Sequence, residues 1–390
     1  MRDLVRSGSF QLSGYWDTCT EGRIRRSLNR ACAGSLHSSA VRATVKGTTM
    51  EAVTDIRDLE EHLSRPTPGV IDALASMPGD IIVLGAGGKM GPSLARMARR
   101  ASDEAGTRRA VIAVSRFSDP RVLSSLDDAG VQAISCDLMD EDQVARLPDA
   151  PNVVYMAGTK FGTTGNESQT WAMNAFLPGA CCRRFRNSRI VAFSSGNVYG
   201  LTDVASGGSR ETDQPRPVGE YAWSVLARER VFQYFGSSLG IPVVLIRLNY
   251  SCELRYGVLV DIARQVHACR PVSLSMGWFN IIWQQDANAM ALQSLSRAAV
   301  PARILNLTGP ETLRVKDAAE KLGKLMCKSV SFEGTESASA LLNNSSKAHT
   351  LFGAPTVDAD QLLAWIADWV VNGGEDLGKP THFESRDGRF

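Results

Sequence analysis

The sequence predicts an α/β fold, a doubly wound parallel sheet with a smaller C-terminal lobe. Three observations predict it. Short apolar runs rich in β-branched residues recur between residues 80 and 307, and helical stretches fill the gaps between them. The first run, Ile81-Ile82-Val83-Leu84, is apolar at consecutive positions, the pattern of a strand covered on both faces. It passes directly into Gly85, Gly88 and Gly91 at G-x-x-G-x-x-G spacing, with Pro92 where a first helical turn accepts proline.

Taken in order, residues 1–49 are Arg- and Ser-rich and have no lasting periodicity. Three readings compete for them: a disordered tail, with Met50 as the natural start; an organellar presequence; and a functional basic arm. Residues 50–78 read as a helical lead-in, with one helix near Ile56–Leu63 and a second near Val70–Ser76, separated by Pro66 and Pro68. Residues 79–250 carry strands at Ile81–Leu84, Ala110–Val114, Val131–Ser135, Val153–Met156, Arg189–Phe193 and Pro242–Leu248. Helices are expected at Leu94–Arg100, Val122–Ala129, Trp171–Arg184 and Ala222–Phe235. Residues 251–375 are mostly the smaller lobe, with a strand returning to the sheet near 303–308 and helices at 257–269, 315–327 and Gln361–Val371. The polar residues 376–390 read as a frayed tail.

Composition narrows the class. The chain has 390 residues, 44% hydrophobic and 22% charged, enough for a large core. No apolar run approaches the roughly 18 residues of a membrane span. Net charge is +2, and residues 1–49 hold eight basic and three acidic residues, leaving 35 of the 43 basic and 38 of the 41 acidic residues in the body. A slightly acidic body argues against nucleic acid as the partner. The eight cysteines form no C-x-x-C pair and the five histidines stand apart, which points to no metal site, reduced thiols and a cytoplasmic setting.

The glycine turn between strand and helix suits a dinucleotide. The turn, Gly85, Gly87, Gly88, Lys89, Met90 and Gly91, lets the backbone approach a pyrophosphate, and the helix N-terminus faces its charge. The second strand ends in Ser115-Arg116, where an NAD site usually has an acid; Arg116 therefore favours NADP, with NAD as the alternative. Asp137, followed by Leu138, reads as an adenine contact or as a helix N-cap. Ala157 and Gly158 after the fourth strand leave room for the cofactor.

The fifth strand ends Ser194-Ser195-Gly196-Asn197-Val198-Tyr199-Gly200, and Tyr221 opens a helix 26 residues after Ser195. With the glycine turn, with Arg247-Leu248-Asn249-Tyr250 and with Trp283-Gln284-Gln285-Asp286, these segments resemble the extended short-chain dehydrogenase/reductases, the NAD-dependent epimerase/dehydratase family, from about residue 80 to about 370. The resemblance implies a Rossmann fold and hydride transfer on a sugar, sugar acid or sugar nucleotide. It implies Tyr221 as general acid/base, Ser195 as the partner of the same substrate oxygen and Asn174 as a brace. It implies substrate contacts at Asn249, Arg255 and Trp278, with Tyr256 and Asn280 in the same segments, and a possible homodimer. The sequence departs from the family at Val225, where the family has the lysine that lowers the tyrosine pKa. Lys160 is the expected replacement and Arg228 the weaker candidate. The shortened substrate segments favour a small sugar or sugar acid. Val225 also leaves open a non-catalytic dinucleotide-binding sensor.

Overall fold

The computed structural model describes residues 52–160, 162 and 164–389. The readings of residues 1–49 lie outside these. Among the described residues, seven parallel strands make one sheet: β1 (Ile81–Leu84), β2 (Val111–Ser115), β3 (Gln132–Ser135), β4 (Asn152–Tyr155), β5 (Arg189–Ser195), β6 (Val243–Leu248) and β7 (Arg303–Leu307). Their spatial order is β7-β6-β5-β4-β1-β2-β3. The chain builds outward from β1 to β3, then returns to lay β4 against β1, with Ile82 opposite Ile112 on one side and Val153 on the other. That reversal opens a crevice over the carboxyl ends of β1 and β4, where ligands bind in such sheets.

The pleat divides the core. Ile81 and Val83, with Val111, Ala113, Val154 and Val191, face helix α3 (Gly91–Glu104), while Ile82 and Leu84, with Ile112, Val114, Val153 and Tyr155, face the other layer. There they meet α7 (Leu177–Arg184) and α8 (Gly219–Leu239) through Leu177, Cys182, Phe185 and Phe232. The lead-in helices α1 (Ile56–Ser64) and α2 (Pro68–Ala75) pack on α3, started by Asp55 and Thr67, whose side chains accept from the N–H groups of Asp58 and Val70. The remaining sheet-flanking helices are α4 (Pro120–Asp128), α5 (Glu141–Ala145) and α6 (Glu167–Trp171).

Three features depart from the sequence reading. The helix expected over Trp171–Arg184 widens into a π turn at Ala172–Phe176 between α6 and α7. The Trp283-Gln284-Gln285-Asp286 segment opens helix α10 (Gln284–Ser294), buried along most of its length. Its Gln284 and Asn288 amides both donate to Ser93 Oγ on α3, at 3.1 and 3.0 Å, and the Asp286 carboxylate accepts from the N–H of Thr356 at 3.0 Å. The segment read as a frayed tail is packed. Phe383 is buried, the Arg386 guanidinium donates to the Ser339 carbonyl at 2.8 Å, and Thr381 donates to Asp261 Oδ2 at 2.5 Å through its hydroxyl. In the C-terminal region α9 (Val258–His267), α11 (Val315–Leu325) and α12 (Ala359–Val371) pack on one another. No helix among the described residues is long and apolar enough to cross a membrane.

One buried ion pair locks α8 to the sheet. Glu229 on α8 and Arg247 on β6 form a bidentate contact at 2.8 and 2.7 Å, both side chains essentially without exposure. Ser194 donates to the same carboxylate at 2.6 Å, the Arg247 guanidinium lies 4.5 Å from the Tyr199 ring centroid, and Tyr199 donates to Asn306 Oδ1 at 2.8 Å. Removing one partner strands the other charge, a loss of about 3–5 kcal/mol. In urea unfolding, Arg247→Leu is expected to lose about that much stability, and Arg247→Leu/Glu229→Leu to lose less than the single variant.

Candidate active site

The glycine turn is shaped by contact. Gly85 has φ +88°, and a Cβ there would stand 2.6 Å from the Ala157 nitrogen. This is why the turn lies against the Ala157 backbone only with glycine at position 85. A Cβ at Gly91 would meet the Ala86 carbonyl oxygen at 2.3 Å, and one at Gly87 would meet Ser115 Oγ at 2.6 Å. Gly88 faces open space, its nearest neighbour being the Gly85 carbonyl at 3.5 Å. The α3 N-terminus, with Met90 at the cap, has no side-chain cap. Two small residues at the tip, an open face and uncapped N–H groups form a cradle that fits a pyrophosphate.

At the end of β5, Ser195 Oγ donates to Asn197 Oδ1 at 3.0 Å and accepts from the Asn197 N–H at 3.2 Å. Tyr221, the third residue of α8, shares a cavity lining with Ser195, whose hydroxyl bears on the phenol. Burial pushes the Tyr221 phenol above its ordinary range, while the Arg228 charge and the Ser195 hydroxyl act against that rise. Val225 is fully buried in an apolar cluster with Val198, Tyr199 and Leu226, against which Tyr221 packs.

Arg228 follows two turns below Tyr221 on the same helix. Its guanidinium donates to the Phe193 carbonyl at 2.8 Å and to Asn174 Oδ1 at 2.5 Å. Asn174 sits in the π turn; its amide donates to the Thr159 carbonyl at 2.9 Å and to Ser224 Oγ at 3.0 Å. Gly158 must be glycine, since a Cβ would stand 2.1 Å from the guanidinium. Arg228 is thus held by β5, the β4 loop and the π turn together. The carboxylate of Glu229, next to it in the chain, faces Arg247.

Ser195 and Tyr221 border a cavity of about 170 Å³ that Lys89, Lys160, Tyr256 and Thr381, among others, also line. The Lys89 ammonium lies 3.0 Å from the Tyr256 ring centroid. Burial lowers the Lys89 pKa to about 7, with Lys160 and Lys379 adding to the shift, and lowers that of Lys160 to about 8. Lys160, expected beside Tyr221, lines the same cavity, and the Arg228 charge also bears on the phenol.

Residues 81–252 match the sequence profile of the NAD dependent epimerase/dehydratase family. No curated protein sequence matches the chain. Solved structures match its fold. A UDP-glucuronic acid 4-epimerase from Bacillus cereus, in complex with UDP-glucuronic acid and NAD, is 19% identical, with TM-score 0.64 over 75% of this chain and 99% of its own. A UDP-glucose 4-epimerase from Thermotoga maritima, with UDP-glucose, is 15% identical, with TM-score 0.62 over 75% and 99%. The dTDP-glucose 4,6-dehydratase DesIV from Streptomyces venezuelae, with NAD and TYD bound, is 17% identical, with TM-score 0.64 over 75% and 97%.

The remaining candidates scatter. Arg116 is exposed at the tip of β2. Asp137 accepts from the Met139 N–H at 3.0 Å, while the α5 cap is Asp140. Leu138 packs on the core beside α5. Asn249 reaches the cavity, but its amide is bonded to Asn280 Oδ1 at 2.7 Å. Arg255 is outside the cavity lining, in ion pairs with Glu253 and Glu60 at 3.0 and 2.7 Å. Trp278 is also outside it, beside Arg314 at 5.7 Å. The Tyr256 ring, a candidate sugar platform, carries the Lys89 ammonium instead. Sequence reasoning missed Gln284 and Thr381 in the lining; Thr381 lies in a polar terminal stretch with no pattern to mark it.

Lys89 predicts a pH-dependent stability effect. Its folded pKa lies below the unfolded value of about 10.4, so its penalty is full below pH 7 and shrinks as pH rises towards the unfolded value. Lys89→Met is expected to raise the melting temperature more at pH 6 than at pH 9, read by differential scanning calorimetry.

Proposed function

We propose that this protein is an NAD(P)-dependent oxidoreductase or epimerase that transfers hydride to or from a carbohydrate-like substrate. The observation that carries the reading is that Ser195 and Tyr221 share the lining of a cavity that also receives Lys89 and Met90 from the glycine turn. The nicotinamide, when bound, supplies the hydride acceptor or donor. Gly85, Gly88, Gly91 and the α3 N-terminus hold the pyrophosphate in this reading, with Arg116 on an NADP 2′-phosphate. Ser195 orients the substrate oxygen. Tyr221 accepts its proton during oxidation or donates one during reduction. Asn174 and Arg228 act as positioning residues: they hold the β4 loop to α8, and the guanidinium charge eases ionisation of the phenol that Val225 does not assist. A cavity of about 170 Å³ supports a small sugar or sugar acid more than a nucleotide sugar. NAD is the cofactor named for several structures of this fold; the absence of an acid at Ser115-Arg116 supports NADP here.

Tyr221→Phe is expected to lower turnover by about 10²–10⁴-fold while leaving NADPH affinity within a few-fold, read by absorbance at 340 nm and by NADPH fluorescence. Unchanged turnover would sink the acid/base role, and cofactor binding without turnover in the unaltered protein would favour the sensor reading. Since Tyr221 ionises above its ordinary range, oxidation is expected to accelerate with pH through the alkaline range. Arg228→Met should move that rise to higher pH, and a profile unmoved by the change would leave Arg228 a purely structural residue. In a fluorescence titration NADPH should bind more tightly than NADH, with Arg116→Ala removing the difference.

A further inference from the structure

Residues 374–389 contain no helix or strand, yet contacts to separate elements fix their course across the C-terminal region. Asp376 pairs with Arg264 on α9 at 2.9 Å, and the Leu377 N–H donates to the Arg255 carbonyl at 3.3 Å. The Thr381 N–H and hydroxyl both donate to Asp261, also on α9. Phe383 is buried, its ring centroid 6.5 Å from that of Phe279. The Arg386 guanidinium donates to the Ser339 carbonyl and hydroxyl, each at 2.8 Å. The end of the segment then lies against the start of α8. A Cβ at Gly388 would stand 2.1 Å from the Val218 carbonyl oxygen, and one at Gly219 would stand 2.5 Å from the Gly388 carbonyl oxygen. Tyr221 is two residues further along α8.

The segment is one chain thick where it meets the cavity. Thr381 is buried and lines the cavity, while Pro380 is exposed and His382 is half-exposed. Among the lining residues Thr381 alone comes from this segment; the others come from the glycine turn, the β4 loop, the ends of β5 and β6 with the turns that follow them, α8 and α10. Lys379 and Glu384 are near enough for their charges to bear on Lys89 and Tyr250, both of which line the cavity. Holding a segment without regular structure in one path costs backbone entropy, so it opens more readily than the core. We propose that residues 376–388 are a strap that walls the cavity at Thr381 and limits the length of substrate the site accepts, with Arg386 and Gly388 as its latch. This deepens the reading of a small sugar or sugar acid and rests on this cavity being the substrate site. A cavity of about 170 Å³ holds a monosaccharide behind the strap. A nucleotide sugar extends past that space, meets Thr381 and the backbone on either side of it, and binds only where the strap lifts.

The test compares the full chain with its Arg386→Ala and Gly388→Val variants. The first removes the hold on Ser339, and the second places side-chain atoms where the Val218 carbonyl stands. Melting curves confirm folding, and because the two variants act by different means either one alone reads the proposal. Chymotrypsin cleavage after Phe383, buried while the strap is closed, should accelerate about tenfold or more in the variants. Isothermal titration with glucose, glucuronate and UDP-glucose follows, with NADPH or NADH present. UDP-glucose should bind the variants about tenfold or more tightly than the unaltered chain, while neither monosaccharide gains affinity. UDP-glucose binding as tightly to the unaltered chain overturns the proposal, as does no gain in a variant whose strap has lifted. An equal gain for the monosaccharides overturns the limit on length, and a strap that stays closed to chymotrypsin in both variants overturns the latch. Tyr221-dependent turnover is read separately. Its absence together with the UDP-glucose gain refutes the proposed function and leaves the strap standing; its presence without the gain refutes the strap alone.

Discussion

The contact between Glu229 and Arg247 is the constraint on which the site depends. It is made inside the layer between α8 and the sheet, where neither charge reaches water. An unpaired charge there would cost several kcal/mol, so α8 is held in one register against β5 and β6. Glu229 lies eight residues after Tyr221 on the same helix, and its carboxylate also takes the hydroxyl of Ser194, the neighbour of Ser195. Fixing that register therefore fixes the tyrosine against the serine.

Arg228 makes a second layer of the same design one residue away. Its guanidinium joins the carbonyl of Phe193 on β5 to Asn174 in the π turn, and Gly158 gives it room. The widened turn has a clear local role, since Asn174 bonds both Thr159 and Ser224 from it. The outcome is a cation held by three backbone segments near a tyrosine whose helical neighbour, Val225, is apolar. Charge near the phenol is delivered from beneath the helix rather than from the next turn.

The sheet was legible because strands covered on both faces are written as consecutive apolar residues bounded by turns. Ile81–Leu84 and Val243–Leu248 need no partner to be read. The glycine turn was legible for a similar reason, since its backbone shape demands particular residues at fixed spacing. Helix α10 was not, because it is buried on nearly every side and carries Gln284, Gln285, Asp286 and Asn288 inward, so it has no polar face to set a period. The terminal segment was misread for a related reason. Its polar residues are satisfied by distant partners, Asp261 for Thr381 and Ser339 for Arg386, and composition does not reveal a partner.

The sequence by itself determined the strands and the glycine turn, because each is encoded in neighbours along the chain, while Ser195 and Tyr221 were marked by resemblance to a known family. Only the tertiary structure decided that Arg255 is committed to Glu60 as well as Glu253 and that Lys89, Lys160 and Thr381 share one cavity with Tyr221. Glu60 and the cavity-lining residues come from positions tens to hundreds apart in the chain. Electrostatic interaction follows distance in space and the local exclusion of water, and neither is written in the order of the residues.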